Sequence, residues 1–251
     1  MLIDTHCHIH DKGCYDLPPD PAEVLAHMHA NWVEKCIVIG TDPVDSQNAC
    51  HFAHEHPEVW WTFGYHPNDY NGDKQKLEQD LAAAKELLHD DKLVAIGEIG
   101  LDYHFDGYNR EFQAYLLENM LQLAQDLKLP VSFHVRDAYE DFWPIFDNFH
   151  LVPSVLHSFS DSEENLKKGL ERGLYTGVNG LATFAKIPHA PLDRIILETD
   201  APFLTPAPFR GTINKPGYIK NIAEWAAVYY GVDLAEIAKI TTKTAEQIFK
   251  I

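Results

Sequence analysis

The chain is poor in positive charge: 20 Lys and Arg stand against 38 Asp and Glu, a formal net charge of −18 at pH 7. Non-specific attachment along duplex DNA depends on cations neutralising phosphates, so this balance excludes a broad basic track and leaves room only for a small local one. Long apolar runs are missing too. Segments 36–40 and 195–197 are short and flanked by charge, far from the roughly 18–20 residues that span a bilayer. The four cysteines, Cys7, Cys14, Cys36 and Cys50, form no CxxC pair, which argues against a disulfide framework or zinc ribbon and predicts reduced thiols. There is no GxGxxG turn, which argues against a dinucleotide-binding open sheet. Met1-Leu2-Ile3-Asp4-Thr5-His6 contains neither a basic segment nor a long apolar stretch, so a cytosolic location without a membrane partner is expected.

What is present reads as one domain over residues 1–251. With 45% apolar and 23% charged residues, disorder and coiled-coil readings are excluded, and a chain of this size buries roughly 70–75% of its unfolded surface. Short β-rich segments at 1–8, 35–41, 59–66, 93–102, 130–136, 154–159, 174–180 and 194–200 alternate with helical patterns. Each reads as a buried parallel strand. Helix 109–128 is the clearest helical pattern, with Phe112, Leu116, Met120, Leu123 and Leu127 at spacings of three and four. Asp20-Pro21 signs one helix start, and Asp161 is expected to sign another. Eight β-then-helix units in this length predict an α/β fold, a (β/α)8 TIM-type barrel, whose chemistry lies on loops at the carboxyl ends of the strands. The proline-rich stretch 202–216, just after the eighth strand, reads as an active-site loop.

Candidate chemistry falls at those ends. His6 and His8 in Asp4-Thr5-His6-Cys7-His8 lie two apart on a strand, so their side chains share a face and can share a metal, while Cys7 points away. Glu98 interrupts the apolar strand Ile96-Gly97-Glu98-Ile99, where an unpaired charge costs several kcal/mol, about the penalty that a bound cation removes. His134 and His157 end the fifth and sixth strands, and Glu198 and Asp200 the eighth. Six nitrogen and oxygen donors without a thiolate, His6, His8, Glu98, His134, His157 and Asp200, suit Zn²⁺, Mn²⁺, Ni²⁺ or Mg²⁺. They are too many for one catalytic ion and suggest two divalent metal ions. Ions roughly 3.5–4 Å apart need a bridging carboxylate, and Glu98 is placed for it.

Together with Gly64-Tyr65-His66-Pro67, Gly97-Glu98-Ile99-Gly100-Leu101-Asp102, His134-Val135-Arg136-Asp137-Ala138, His157-Ser158-Phe159-Ser160, Glu198-Thr199-Asp200-Ala201-Pro202 and Arg210-Gly211, the pattern resembles the TatD family of metal-dependent hydrolases. That family resembles amidohydrolases, with a glutamate in place of the modified bridging lysine. The resemblance implies that His6, His8 and Asp200 hold one metal, His134 and His157 the other, and that Glu98 bridges. It also implies hydrolysis of phosphodiesters in DNA, typically from a 3′ end. The chain departs from the family at Asn214-Lys215-Pro216, where Asn-Glu-Pro is common, and in lacking the usual Cys and Gly around Phe159. Lys215 is expected to add a cation near the mouth.

In the mechanism expected, Asp200 is the general base, taking a proton from a metal-activated water, and Glu198 stands behind the ligands. Arg136, Arg210 and His66 are expected to contact an anionic substrate. The partner expected is single-stranded or frayed DNA or a small anionic substrate, bound by a chain expected to be monomeric. Amide, lactone or ester hydrolysis on a small anionic substrate or aminoacyl-tRNA uses the same donors and stays open, as does a non-catalytic metal-stabilised binding protein. His51, His54 and His56 do not match HExxH and read as a solvated helix face. His104 and His150 carry no assignable role.

Overall fold

The computed structural model describes residues 1–11, 20–70 and 73–251; Cys14 lies outside them. Eight parallel strands form one sheet in chain order, from β1 (Leu2–Cys7), β2 (Val33–Ile39), β3 (Val59–Phe63) and β4 (Leu93–Asp102) to β5 (Val131–Arg136), β6 (Val155–Leu156), β7 (Tyr175–Val178) and β8 (Ile195–Leu197). The sheet closes on itself. Asp200 N donates to His6 O at 2.8 Å, His8 N to Ala201 O at 2.7 Å, and Thr5 Oγ1 to Leu197 O at 2.9 Å. Closure removes the two edges an open sheet would expose and brings the two ends of the strand series together.

Helices α1 (Pro21–Ala30), α2 (Pro43–Glu55), α3 (Lys74–Ala83), α4 (Arg110–Leu127), α5 (Tyr139–Phe146) and α6 (Glu163–Glu171) connect successive strands, and α7 (Ile219–Tyr230) and α8 (Leu234–Phe249) follow β8. The seventh β-then-helix unit lacks its expected α-helix between β7 and β8. Short 3₁₀ turns at Gly180–Thr183 and Leu192–Arg194 occupy that crossover, where Pro188 and Pro191 remove backbone donors that an α-helix needs. Asp20 caps α1 by accepting from Ala22 N, with Pro21 in the first turn. At α6 the cap is Ser162 rather than Asp161, which instead accepts from Ser162 N and Asn165 Nδ2. On α4 the buried face runs through Gln113, Leu116, Leu117, Met120, Leu121 and Ala124. Phe112, Leu123 and Leu127 are only partly buried at its flank.

Alternation in the strands sorts two cores. On β2, Cys36 and Val38 join the large cluster under the helices, while Ile37 and Ile39 join Ile3, Val155 and Ile196 against Ala245, Ile248 and Phe249 of α8. The carboxyl end of the barrel is left to polar groups. Close backbone approach sets their spacing at Gly64, just after β3, where an added Cβ would fall 2.1 Å from Gly97 C and 2.2 Å from Glu98 N. Gly64→Ala is expected to push β4 outward at Glu98 and cost at least about 1–3 kcal/mol, the range for overpacking. A urea midpoint equal to that of the wild type would show that β3 and β4 have slack the packing denies.

Candidate metal centre

Five strand ends deliver the six donors to one point. His6 leaves β1 with His8 just beyond it, Glu98 sits inside β4, His134 inside β5, and His157 and Asp200 follow β6 and β8. His6 Nε2 lies 3.3 Å from Glu98 Oε2 and 3.7 Å from Asp200 Oδ1, and His8 Nε2 lies 3.4 Å from the same Asp200 oxygen. His157 Nε2 is 3.9 Å from Glu98 Oε1 and 3.8 Å from Asp200 Oδ1. His134 Nδ1 is 2.8 Å from Glu98 Oε1. Glu98 therefore faces both histidine pairs, one carboxylate oxygen toward each. Cys7 turns away, its thiol near Ile37 O in the outer core.

The donor set fits divalent ions. Two ligands on one tetrahedral ion at about 2.0–2.1 Å stand roughly 3.3–3.5 Å apart, close to the spacings of His6 and His8 from the carboxylates. Buried His6 Nε2 has no hydrogen-bond partner although two carboxylate oxygens face it. Donor atoms cluster as His6 with His8 and Asp200, His6 with Glu98 and His157, and His66 with Glu98 and His134.

Electrostatics point the same way. Burial works to raise the Glu98 carboxyl, yet the charges of His157 and His6 and the hydrogen bond from His134 hold it well below the usual carboxylate range. For Asp200 burial again opposes ionisation, and His8, His157 and His6 overcome it. Burial works to lower His134, but hydrogen bonds to Asp102 and Glu98 push it up to about 9. Against the same burial, Glu198 and Glu98 push His157 up to about 10. His6 is lowered by burial and by the charge of His157, whose ring it stacks on at 3.4 Å. Without ions the buried carboxylates are thus balanced by imidazolium.

Two carboxylates to which sequence reasoning gave no ligand role orient the rings. Asp102 Oδ2 lies 2.9 Å from His134 Nε2, and Glu198 Oε1 lies 3.0 Å from His157 Nδ1, so Nδ1 of His134 and Nε2 of His157 face the centre. Asp102 was legible as a same-face neighbour four residues from Glu98 on β4; its partner was not. Glu198 also accepts from Ser158 N at 2.7 Å. Asp4, buried and pushed up to about 8 by desolvation, accepts from Thr199 N and Oγ1 and fixes the chain entering Asp200.

The centre floors a cavity of about 900 Å³. His66 and Arg136 line it, and the His66 ring meets His134 edge-on at 4.5 Å. Arg136 is the only arginine or lysine among the described residues of the lining, which also includes Asp42 and Asp45. Arg210 lies over the Phe184 ring at 3.6 Å and does not line the cavity. The expectation for Lys215 is corrected: it is absent from the lining, and its charge falls on His27 of α1, because Pro216 and Gly217 dock that segment on the helix. The 202–216 loop does reach the cavity through Phe203 and Leu204.

A family model described as TatD related DNase matches residues 3–250. The chain belongs to the TatD-related DNase family. Among its relatives are the "Uncharacterized metal-dependent hydrolase YabD" of Bacillus subtilis, 38% identical over 100% of both chains, and the "3'-5' ssDNA/RNA exonuclease TatD" of Citrobacter rodentium, 33% identical over 92% of both. The solved structure of YJJV, a TatD homologue from Escherichia coli K12, superposes with a TM-score of 0.90 at 27% identity, covering 100% of this chain and 98% of that one. This TatD-family chain is accordingly a metal-dependent hydrolase built on a TIM-type barrel. No helix of its described residues is long and apolar enough to cross a membrane.

Raised imidazole pKa values have a measurable consequence. In the metal-free chain His134 and His157 carry protons at pH 7, and ions must displace them, so uptake is expected to release about two protons per chain. Calorimetry in buffers of different ionisation enthalpy reads that number, and a release below one proton contradicts the charge state. By linkage, stability from these groups is full below their unfolded value near 6.5 and is lost as pH rises through about 9 and 10. The metal-free Tm should therefore fall between pH 7 and 10.

Proposed function

We propose that this chain is a cytosolic nuclease that uses two divalent ions to remove nucleotides from the 3′ end of single-stranded DNA. His6, His8 and Asp200 would hold one ion, His134 and His157 the other, with Glu98 between them. The observation that carries this reading is the convergence of those six donors beneath a cavity that Arg136 lines, the one arginine among its described lining residues. Ions held there supply Lewis acidity, lowering the pKa of a water and drawing charge from phosphoryl oxygens, and zinc, manganese, nickel and magnesium all suit the donors.

The chain's own groups do the rest. Asp200, kept ionised by His8, His157 and His6, is placed to orient the attacking water and take its proton. Asp102, by a hydrogen bond to His134, and Glu198, 3.0 Å from His157 Nδ1, orient the two imidazoles. Arg136 supplies the fork that grips a phosphate, and His66, beside His134 in the same lining, contacts the same group. Arg210 sits further out, where only a longer strand would reach it. Phe203, about half exposed and 6.1 Å from His8, offers a face on which a terminal base can stack. Asp42 and Asp45, which share the lining, disfavour further phosphates, so a chain end is the expected ligand, which reconciles a phosphodiesterase with a net charge of −18.

End-labelled single-stranded and duplex oligonucleotides, set beside a panel of neutral esters and amides, test this. Shortening of single strands from the 3′ end is expected, with blunt duplexes poor substrates; turnover of esters or amides without any DNA cleavage overturns it. Asp200→Asn at saturating metal should lose roughly 10²–10⁴-fold in kcat, and wild-type turnover in that variant removes Asp200 from the mechanism. Arg136→Ala should impair DNA far more than a neutral ester. With few phosphates held, log affinity against log salt should slope by about −1 to −2; a slope beyond about −4 would require a basic track that the described lining of the cavity lacks.

A further inference from the structure

A second cluster of donors lies at the other end of the barrel. Cys50 and His54 stand one turn apart on α2, on the same helix face. Asp90 lies just before β4, and its Oδ2 is 2.6 Å from His54 Nε2. The thiol, imidazole and carboxylate donor atoms all lie within 4.8 Å of one another. Reading His54 as part of a solvated face is therefore incomplete: the ring is exposed, but its nitrogen is turned inward onto a buried thiol and a held carboxylate.

Asp90 is fixed as metal-ligating carboxylates commonly are. Its other oxygen accepts from Trp61 Nε1 at 2.8 Å and from Lys92 N at 3.0 Å, so Oδ2 is aimed at the cluster before any ligand arrives. We propose that Cys50, His54 and Asp90 form a thiolate-containing site for a zinc-class divalent cation, remote from the catalytic centre. One sulfur, one nitrogen and one oxygen on a partly open face suit a borderline-soft ion in tetrahedral coordination, with water in the fourth position. Ligands on such an ion stand about 3.3–3.8 Å apart. The His54 to Asp90 contact must open by about 1 Å, which an exposed imidazole can do by rotating. Burial and the neighbouring Asp90 and Asp91 push the thiol up to about 11. Cys50 is thus protonated without a cation, and uptake exchanges that proton for the ion. The ion would tie the last turn of α2 to the approach to β4.

Cobalt(II) distinguishes this site from the catalytic one, because only a cysteine ligand gives a sulfur-to-cobalt charge-transfer band in the near ultraviolet and the catalytic donors are all nitrogen and oxygen. Titrating the full chain with Co²⁺ should give a saturable band, lost in Cys50→Ser and retained in Cys14→Ser. His54→Ala, on the exposed face, should keep the fold by circular dichroism. It should weaken the cobalt species giving the band by more than about 100-fold, since even partners behind a ligand are worth 10–100-fold. Zn²⁺ should raise the Tm of a chain with its catalytic donors saturated, and this increment should vanish in His54→Ala. Absence of the band at millimolar Co²⁺ overturns the proposal, as does a band unchanged in His54→Ala or surviving in Cys50→Ser.

Discussion

Buried negative charge is the constraint around which this molecule is arranged. Glu98, Glu198 and the half-buried Asp200 crowd one end of the barrel, with Asp102 close behind. An uncompensated carboxylate in such a place costs several kcal/mol or gives up its charge. Positive charge must therefore be supplied, by protons on His134 and His157 when no ion is present and by divalent cations when they are. Metal dependence on this view is a condition of burying those carboxylates together, and catalysis uses what that condition brings.

Precision comes from the scaffold behind the donors. Strands fix where each Cα stands, but ring orientation is set by Asp102 and Glu198, and Ser132 Oγ lies 3.4 Å from His6 Nδ1. Gln113 on α4 adds a further tie: its amide donates to Asp102 O and accepts from Asp102 N, joining the helix to the strand end that orients His134. Packing and chemistry are thus continuous here. A change in how α4 seats on the barrel reaches an imidazole through two contacts.

Much of this was legible in the chain because two periodicities separate cleanly. Strand segments with a polar residue at the carboxyl end marked the barrel and the six donors, and His6 with His8 needed only the two-residue repeat. What stayed hidden depends on distant pairing. Asp102 is one of many aspartates until His134 is set beside it, and Lys215 looked like a mouth residue until its segment was seen docked on α1. Cys50, His54 and Asp90 are separated by a strand and a helix, and no local motif announces their meeting. The β7 to β8 crossover breaks the strand-then-helix repeat, because Pro188 and Pro191 remove backbone donors that an α-helix there would need.

Closure of β1 onto β8 also orders events in time. His6 and His8 leave the ribosome some 190 residues before Asp200, so the earliest donors wait for the latest. Every nascent or truncated chain that stops before β8 is missing both the carboxylate that completes the first cluster and the strand that closes the sheet around it. Contacts of such high sequence separation form late because their loop must close first. An enzyme whose proposed substrate is present wherever it is translated would thus have no competent centre until β8 and the residues just after it have been made.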